Sequence, residues 1–221
     1  ASDVYKRQGG SCLDLCDMLV YIYRALGIPC GIEELPMRGN NNAPHFWNFL
    51  VDQHGQTWYF SMFYWWHRLL KAEVYADVYG KVFRQRFSLN RDMMDSLRMP
   101  LDSVHPVFRY PFFEDVTRLY ATDKAFTLSV GKQHLARDIR AGEVVYICMS
   151  DRYAWKPVGW TRYDGSNAVF KDCHGGTIYC LAVYDAANDK LAPVSSPFSV
   201  GQENGKMEFY DVQEETEDVV L

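Results

Sequence analysis

The chain has no run of uncharged apolar residues long enough to cross a bilayer, no internal repeat and no low-complexity segment. The first absence excludes a helical membrane span within this chain. An excess of basic charge is missing too. The net charge is −5 and the pI about 5.7, which argues against nucleic acid as a partner, because phosphate binding draws on clustered Lys and Arg. The one basic cluster, Lys81 to Arg86, alternates with apolar residues and reads as the solvated face of a half-buried strand. Six cysteines are present, without the spacing of a disulfide framework. Cys12 and Cys16 fall on one helix, Cys30 follows Pro29, and Cys148, Cys173 and Cys180 lie in strand-like runs. A two-residue hairpin at Gly175-Gly176 would leave Cys180 diagonal to Cys173 at roughly 7–8 Å, beyond the separation that disulfides prefer. Cysteine usage therefore leaves the redox compartment undecided. Cys12, Cys16 and His45 make a poor zinc site, because a closed tetrahedral centre needs a fourth ligand.

What is present is material for one large or two small cores: 48% of the residues are hydrophobic and 15% aromatic. From Cys12, apolar residues recur at Cys16, Leu19, Tyr23 and Leu26, the spacing of a buried helical stripe. Ser11 suits the N-cap, Asp14 the first turn, and Gly27 with Pro29 the end. His45 to Asp52 and Gln56 to Phe60 read as a hairpin around His54-Gly55, followed by a strand at Lys81 to Phe87 and a short helix between Asn90 and Met99. Pro100, Pro106 and Pro111 then punctuate the chain. Beyond Phe113 come short alternating runs: Val116 to Tyr120, Phe126 to Val130, Val144 to Met149, Trp155 to Arg162, Ala168 to Asp172, Thr177 to Tyr184 and Lys206 to Val212. About seven strands in about a hundred residues is the pattern of a β-sandwich. Glu214 to Asp218 reads as a solvated acidic tail.

The stretch that carries chemistry is Gly9-Gly-Ser-Cys-Leu-Asp-Leu-Cys16, which sets Cys12 at the mouth of a helix. Free N–H groups and the helix dipole favour an anion there, so helix starts suit nucleophilic cysteines, whereas Cys16 one turn deeper packs as a small hydrophobe. Further along, His45-Phe-Trp-Asn48 brings a histidine into an aromatic strand, and an imidazole folded against Cys12 would complete a nucleophile and base pair.

Gly10-Ser-Cys12-Leu-Asp14, the helix end Tyr23-Arg-Ala-Leu-Gly-Ile-Pro29, His45-Phe-Trp-Asn48 and Gly55-Gln-Thr-Trp58 together resemble the transglutaminase-like superfamily. The resemblance covers the first third to half of the chain. It implies an α+β, papain-like core over residues 1–108, with Cys12 as nucleophile and His45 as base, and the alternating runs that follow place an all-β sandwich over 109–221. It also implies further helices ahead of the cysteine, so Ala1 reads as a point inside a domain, with any signal peptide, lipid anchor or oxyanion-hole side chain upstream. The family's third member is an acid shortly after the tryptophan of the second strand, where this chain has Phe60-Ser-Met-Phe. Asp52, Glu73 and Asp77 are the nearby acids, and Asn48 or Ser61 are uncharged groups that can orient the ring.

The expected activity is cysteine-dependent acyl transfer, or hydrolysis of an amide or peptide, through a Cys12 thioester. Water as acceptor makes a peptidase or amidase, an amine a transglutaminase. This chemistry needs no metal or organic cofactor, and its substrate would be a protein or peptide. The alternative is a catalytically silent module that binds protein or glycan. Under either reading Phe63 to Trp66 line a substrate groove or pack in a core or domain interface, and Trp155 and Trp160 stack on sugar rings where exposed or pack where buried.

Overall fold

Local capping begins the first element. The Ser11 hydroxyl accepts from the Asp14 amide at 3.3 Å, while the Asp14 carboxylate accepts from the Ser11 amide at 2.7 Å, a reciprocal capping box that starts helix α1, Cys12–Ala25. The helix stops before Gly27, whose φ of +76° suits glycine. The computed structural model describes residues 11–39, 43–60, 78–151 and 153–211.

After α1 come β1 (Cys30–Leu35), β2 (His45–Val51) and β3 (Thr57–Phe60), then β4 (Phe83–Gln85) and, much later, β5 (Phe113–Asp115). They form one antiparallel sheet in the order β3-β2-β1-β4-β5. Helix α1 covers one face. The Asn48 amide donates to the Cys16 carbonyl at 3.0 Å and to Gly31 O at 3.2 Å, and Tyr23 meets Phe60 edge-on. The opposite face carries Leu35, Trp47, Tyr59, Val82, Val116 and Tyr120 in a single cluster.

Buried in that second face is an ionic network. Glu33 is fully buried, and its carboxylate accepts from Arg84 Nε at 2.8 Å and Nη2 at 2.6 Å, from Trp47 Nε1 at 2.9 Å and from the Tyr120 hydroxyl. Burial raises the Glu33 pKa, against the Arg84 charge and these hydrogen bonds; it also raises Tyr120 well above the ordinary phenol value, with the Glu33 charge acting the same way. Arg84 opposes the rise at Glu33 most directly, since its guanidinium donates twice to one Glu33 oxygen.

Helix α2 (Arg91–Leu97), capped by the Asn90 side chain, separates β4 from β5. Val116 to Tyr120, expected as a strand, instead leads into helix α3, Thr117–Ala121. Asp115 Oδ1 accepts from the Thr117 amide at 3.0 Å and its hydroxyl at 2.6 Å, which starts the turn, and the i, i+4 pair Val116 and Tyr120 then packs against Trp47. Hydrogen bonds between β4 and β5 thus join the two stretches that meet at residues 108 and 109.

The remaining strands are β6 (Ala125–Gly131), β7 (Val144–Ser150), β8 (Trp155–Arg162), β9 (Asn167–His174), β10 (Thr177–Asp185), β11 (Lys190–Pro193), β12 (Phe198–Val200) and β13 (Met207–Phe209). Five of them run in the order β13-β12-β10-β7-β8, with β11 also on β10, and the β6–β9 ribbon packs across this sheet in a sandwich-like arrangement. Ile147, Tyr179, Leu181 and Phe198 of the sheet meet Leu128, Val130 and Phe170 of the ribbon in the larger core. On β8, Pro157 stands opposite Cys148, beside a register shift between Ile147 and Cys148.

Two expectations are overturned here. The described residues hold thirteen strands and three α-helices, of 14, seven and five residues, so the architecture is mostly β and the papain-like α+β core is not found. Of these three helices only α1 is long enough to cover a sheet face. Gly175-Gly176 is likewise not a hairpin turn. Strand β9 pairs with β6, whereas β10 pairs with β7, β11 and β12, so the chain changes layers at these two glycines.

Candidate functional site

The register of β2 decides where the expected catalytic residues go. Asn48 and Cys30 contact α1 at Cys16 O and Val20 O, so the helix start lies over the end of the sheet where His45 pairs with Leu35. Cys12 is about 6 Å of helix beyond Cys16, and His45 about 10 Å of strand beyond Asn48. The two residues thus share an end. They do not share a face: side chains alternate along a strand, and His45, three residues from Asn48, faces the Trp47 side, its ring 5.7 Å from the indole. His45 is 8% exposed in that position. Cys12 is the one partly exposed cysteine of the six; the others are buried. Burial, with the Cys12 charge as a smaller influence, pushes the Cys16 thiol up to about 12.

None of the described third-member candidates accompanies His45. Asn48 is fully buried on the helix side, its amide committed to two carbonyls. Asp52 sits about 23 Å along the strand from His45, where it accepts from Trp58 Nε1 and from the Gln56 and His54 amides, each at 2.9 Å. The Trp58 bond, followed by those amides, holds the Asp52 carboxyl below its ordinary value. Ser61, Glu73, Asp77 and the run Phe63 to Trp66 lie outside the described residues. Among the described residues, no three His, Cys, Asp or Glu side chains converge as metal ligands do.

A different place gathers polar and aromatic groups. Between β5 on one side and β8 and β9 on the other is a cleft of about 480 Å³, lined by Phe113, Trp160, Thr161 and several charged side chains. At its floor Lys81, expected on a solvated strand face, is 5% exposed. Its ammonium lies 2.5 Å from Asp115 Oδ2 and also donates to the Lys171 carbonyl, tying the first sheet to the β6–β9 ribbon. Alternation explains the correction: Val82 and Arg84 turn to the Glu33 face, so Lys81 and Phe83 must turn toward the cleft. Lys81, Arg86 and Lys171 face Asp92, Glu114 and Asp115 around the lining, three cations against three anions. The Lys81–Asp115 pair neutralises itself, which leaves a charge-balanced rim beside a partly buried indole. The chemistry of such a cleft is hydrogen bonding and stacking, not capture of a strong ion.

Comparison with protein-family models, with curated proteins and with solved structures finds no match to this chain. The transglutaminase-like resemblance therefore rests on the motif residues alone. No helix among the described residues is long and apolar enough to cross a membrane.

Proposed function

We propose that this chain is a glycan-binding module that seats a neutral saccharide unit in the cleft between β5 and β8. The observation that carries this reading is the lining itself, with Trp160 and Phe113 set among the balanced charges of Arg86, Asp92, Glu114 and Lys171. A sugar ring offers an apolar C–H face to an aromatic side chain and hydroxyls to carboxylates and cations. A net-charged ligand gains little where lining charges cancel. Calorimetric titration of a neutral oligosaccharide panel should find a ligand, and Trp160→Ala should weaken it at least tenfold, about 1.4 kcal/mol, when titrated well below the variant's own unfolding midpoint, which falls because the indole also packs against the core. Binding that survives Trp160→Ala at full affinity, or a panel with no binder, overturns the proposal.

A second reading keeps Cys12 as an acyl-transfer nucleophile, supported by its partial exposure at a capped helix start and by His45 at the same end of the sheet. Against it stands the placement of His45 on the far face. Iodoacetamide labelling located by peptide mapping separates the two. The expected result is that Cys12 labels first among the native cysteines, because the others are buried, and that His45→Ala leaves its pH profile where it was. A profile displaced toward higher pH by His45→Ala would promote the acyl-transfer reading.

A further inference from the structure

The β7–β10 register sets Cys148 and Cys180 directly opposite one another. Directly opposed residues of antiparallel strands point to the same face, with Cα atoms roughly 4.5–5.5 Å apart, within the span that a disulfide bridges. Both are free thiols, buried to 0% and 1% exposure. Their sulfurs at present contact carbonyls: Cys148 Sγ lies 4.0 Å from Tyr146 O, and Cys180 Sγ lies 3.4 Å from Ser195 O. No other described cysteine pair stands directly opposite in a strand ladder, since Cys173 faces Phe126 and Cys30 faces Leu50.

We propose that Cys148 and Cys180 form an intramolecular disulfide by exchange with a small-molecule disulfide of the glutathione type. One cysteine, as thiolate, attacks the reagent and releases one reduced thiol, forming a mixed disulfide. The second cysteine attacks that mixed disulfide and releases the other half of the reagent as thiol. Two protein S–H groups are oxidised to one S–S bond, and one reagent disulfide is reduced to two thiols. In the closed fold burial raises both thiols, Cys148 well above the usual range, so neither is a ready nucleophile there. Exchange therefore belongs to folding, while β7 and β10 are coming together, and the finished bond is shielded from reductant.

The test is to refold the full chain from its reduced, denatured state in a glutathione redox buffer, quench in acid, alkylate and map the peptides. The expected result is a Cys148–Cys180-linked peptide whose disulfide content exceeds that of Cys173 by roughly tenfold or more. Cys148→Ala should leave Cys180 alkylated, and Cys180→Ala should leave Cys148 alkylated. Recovery of both thiols alkylated from natively refolded protein overturns the proposal. So does a Cys180 that pairs equally well with another cysteine in Cys148→Ala.

Discussion

Replacing Glu33 by glutamine is expected to lower the unfolding free energy by about 3–5 kcal/mol, read from the urea midpoint at constant slope. The carboxylate is fully buried and serves four donors from Arg84, Trp47 and Tyr120. Glutamine keeps the shape but removes the charge that balances Arg84, and it turns an NH₂ group toward donors that need an acceptor. Arg84 cannot easily escape to water, since its side chain is 18% exposed and its guanidinium lies 4.2 Å from the centre of the Phe49 ring. The apolar double replacement Glu33→Leu with Arg84→Leu should lose much less than the sum of the singles, because it leaves no orphaned charge. A Glu33→Gln loss below about 1 kcal/mol would show that the network contributes no more than one ordinary hydrogen bond.

The second large effect is expected at the layer change. An added Cβ at Gly175 would lie 2.6 Å from the Gly201 carbonyl oxygen, 2.9 Å from Gln202 Cα and 2.9 Å from the Phe126 ring. Two of these neighbours are backbone and cannot rotate aside. Gly175→Ala should therefore cost about 2–3 kcal/mol by overpacking, a fall in melting midpoint of roughly 5–10 °C for a chain of this length. Gly27→Ala is the control. That glycine has a positive φ but nothing within 4 Å of an added Cβ, so its cost should stay near 1 kcal/mol. Equal losses at the two positions would mean that the 175–176 crossing tolerates displacement.

What could be read from the residues alone was what local interactions decide. The start of α1 is written in Ser11 and Asp14, three residues apart, and the β2–β3 turn in Asp52, whose side chain reaches amides two and four residues on. What could not be read depends on distant partners. Lys81 looks solvated until Asp115, 34 residues later, supplies its counter-charge, and Val116 to Tyr120 suits a strand or a helix until Trp47 and the Asp115 cap select the helix. The glycine pair carries a hairpin signal, yet pairing of β9 with β6 and of β10 with β7 outweighs it. For the candidate site, the position of Cys12 was legible and the face of His45 was not, because nothing local says which side of the sheet a helix will cover. The odd spacing between His45 and Asn48 already separates those two side chains, whichever side that is.

Strand β8 closes the path of the second sheet among the described residues, and an outer strand offers its unpaired backbone groups to any other chain in solution. Pro157 removes one amide from that ladder, and the register shift at Ile147 and Cys148 bends the pairing beside it. A protein with a sandwich-like core and an open edge is at risk of growing into aggregates strand by strand. Here the edge is interrupted near its start, so crowding in a concentrated solution finds no flat, continuous template on β8 to extend.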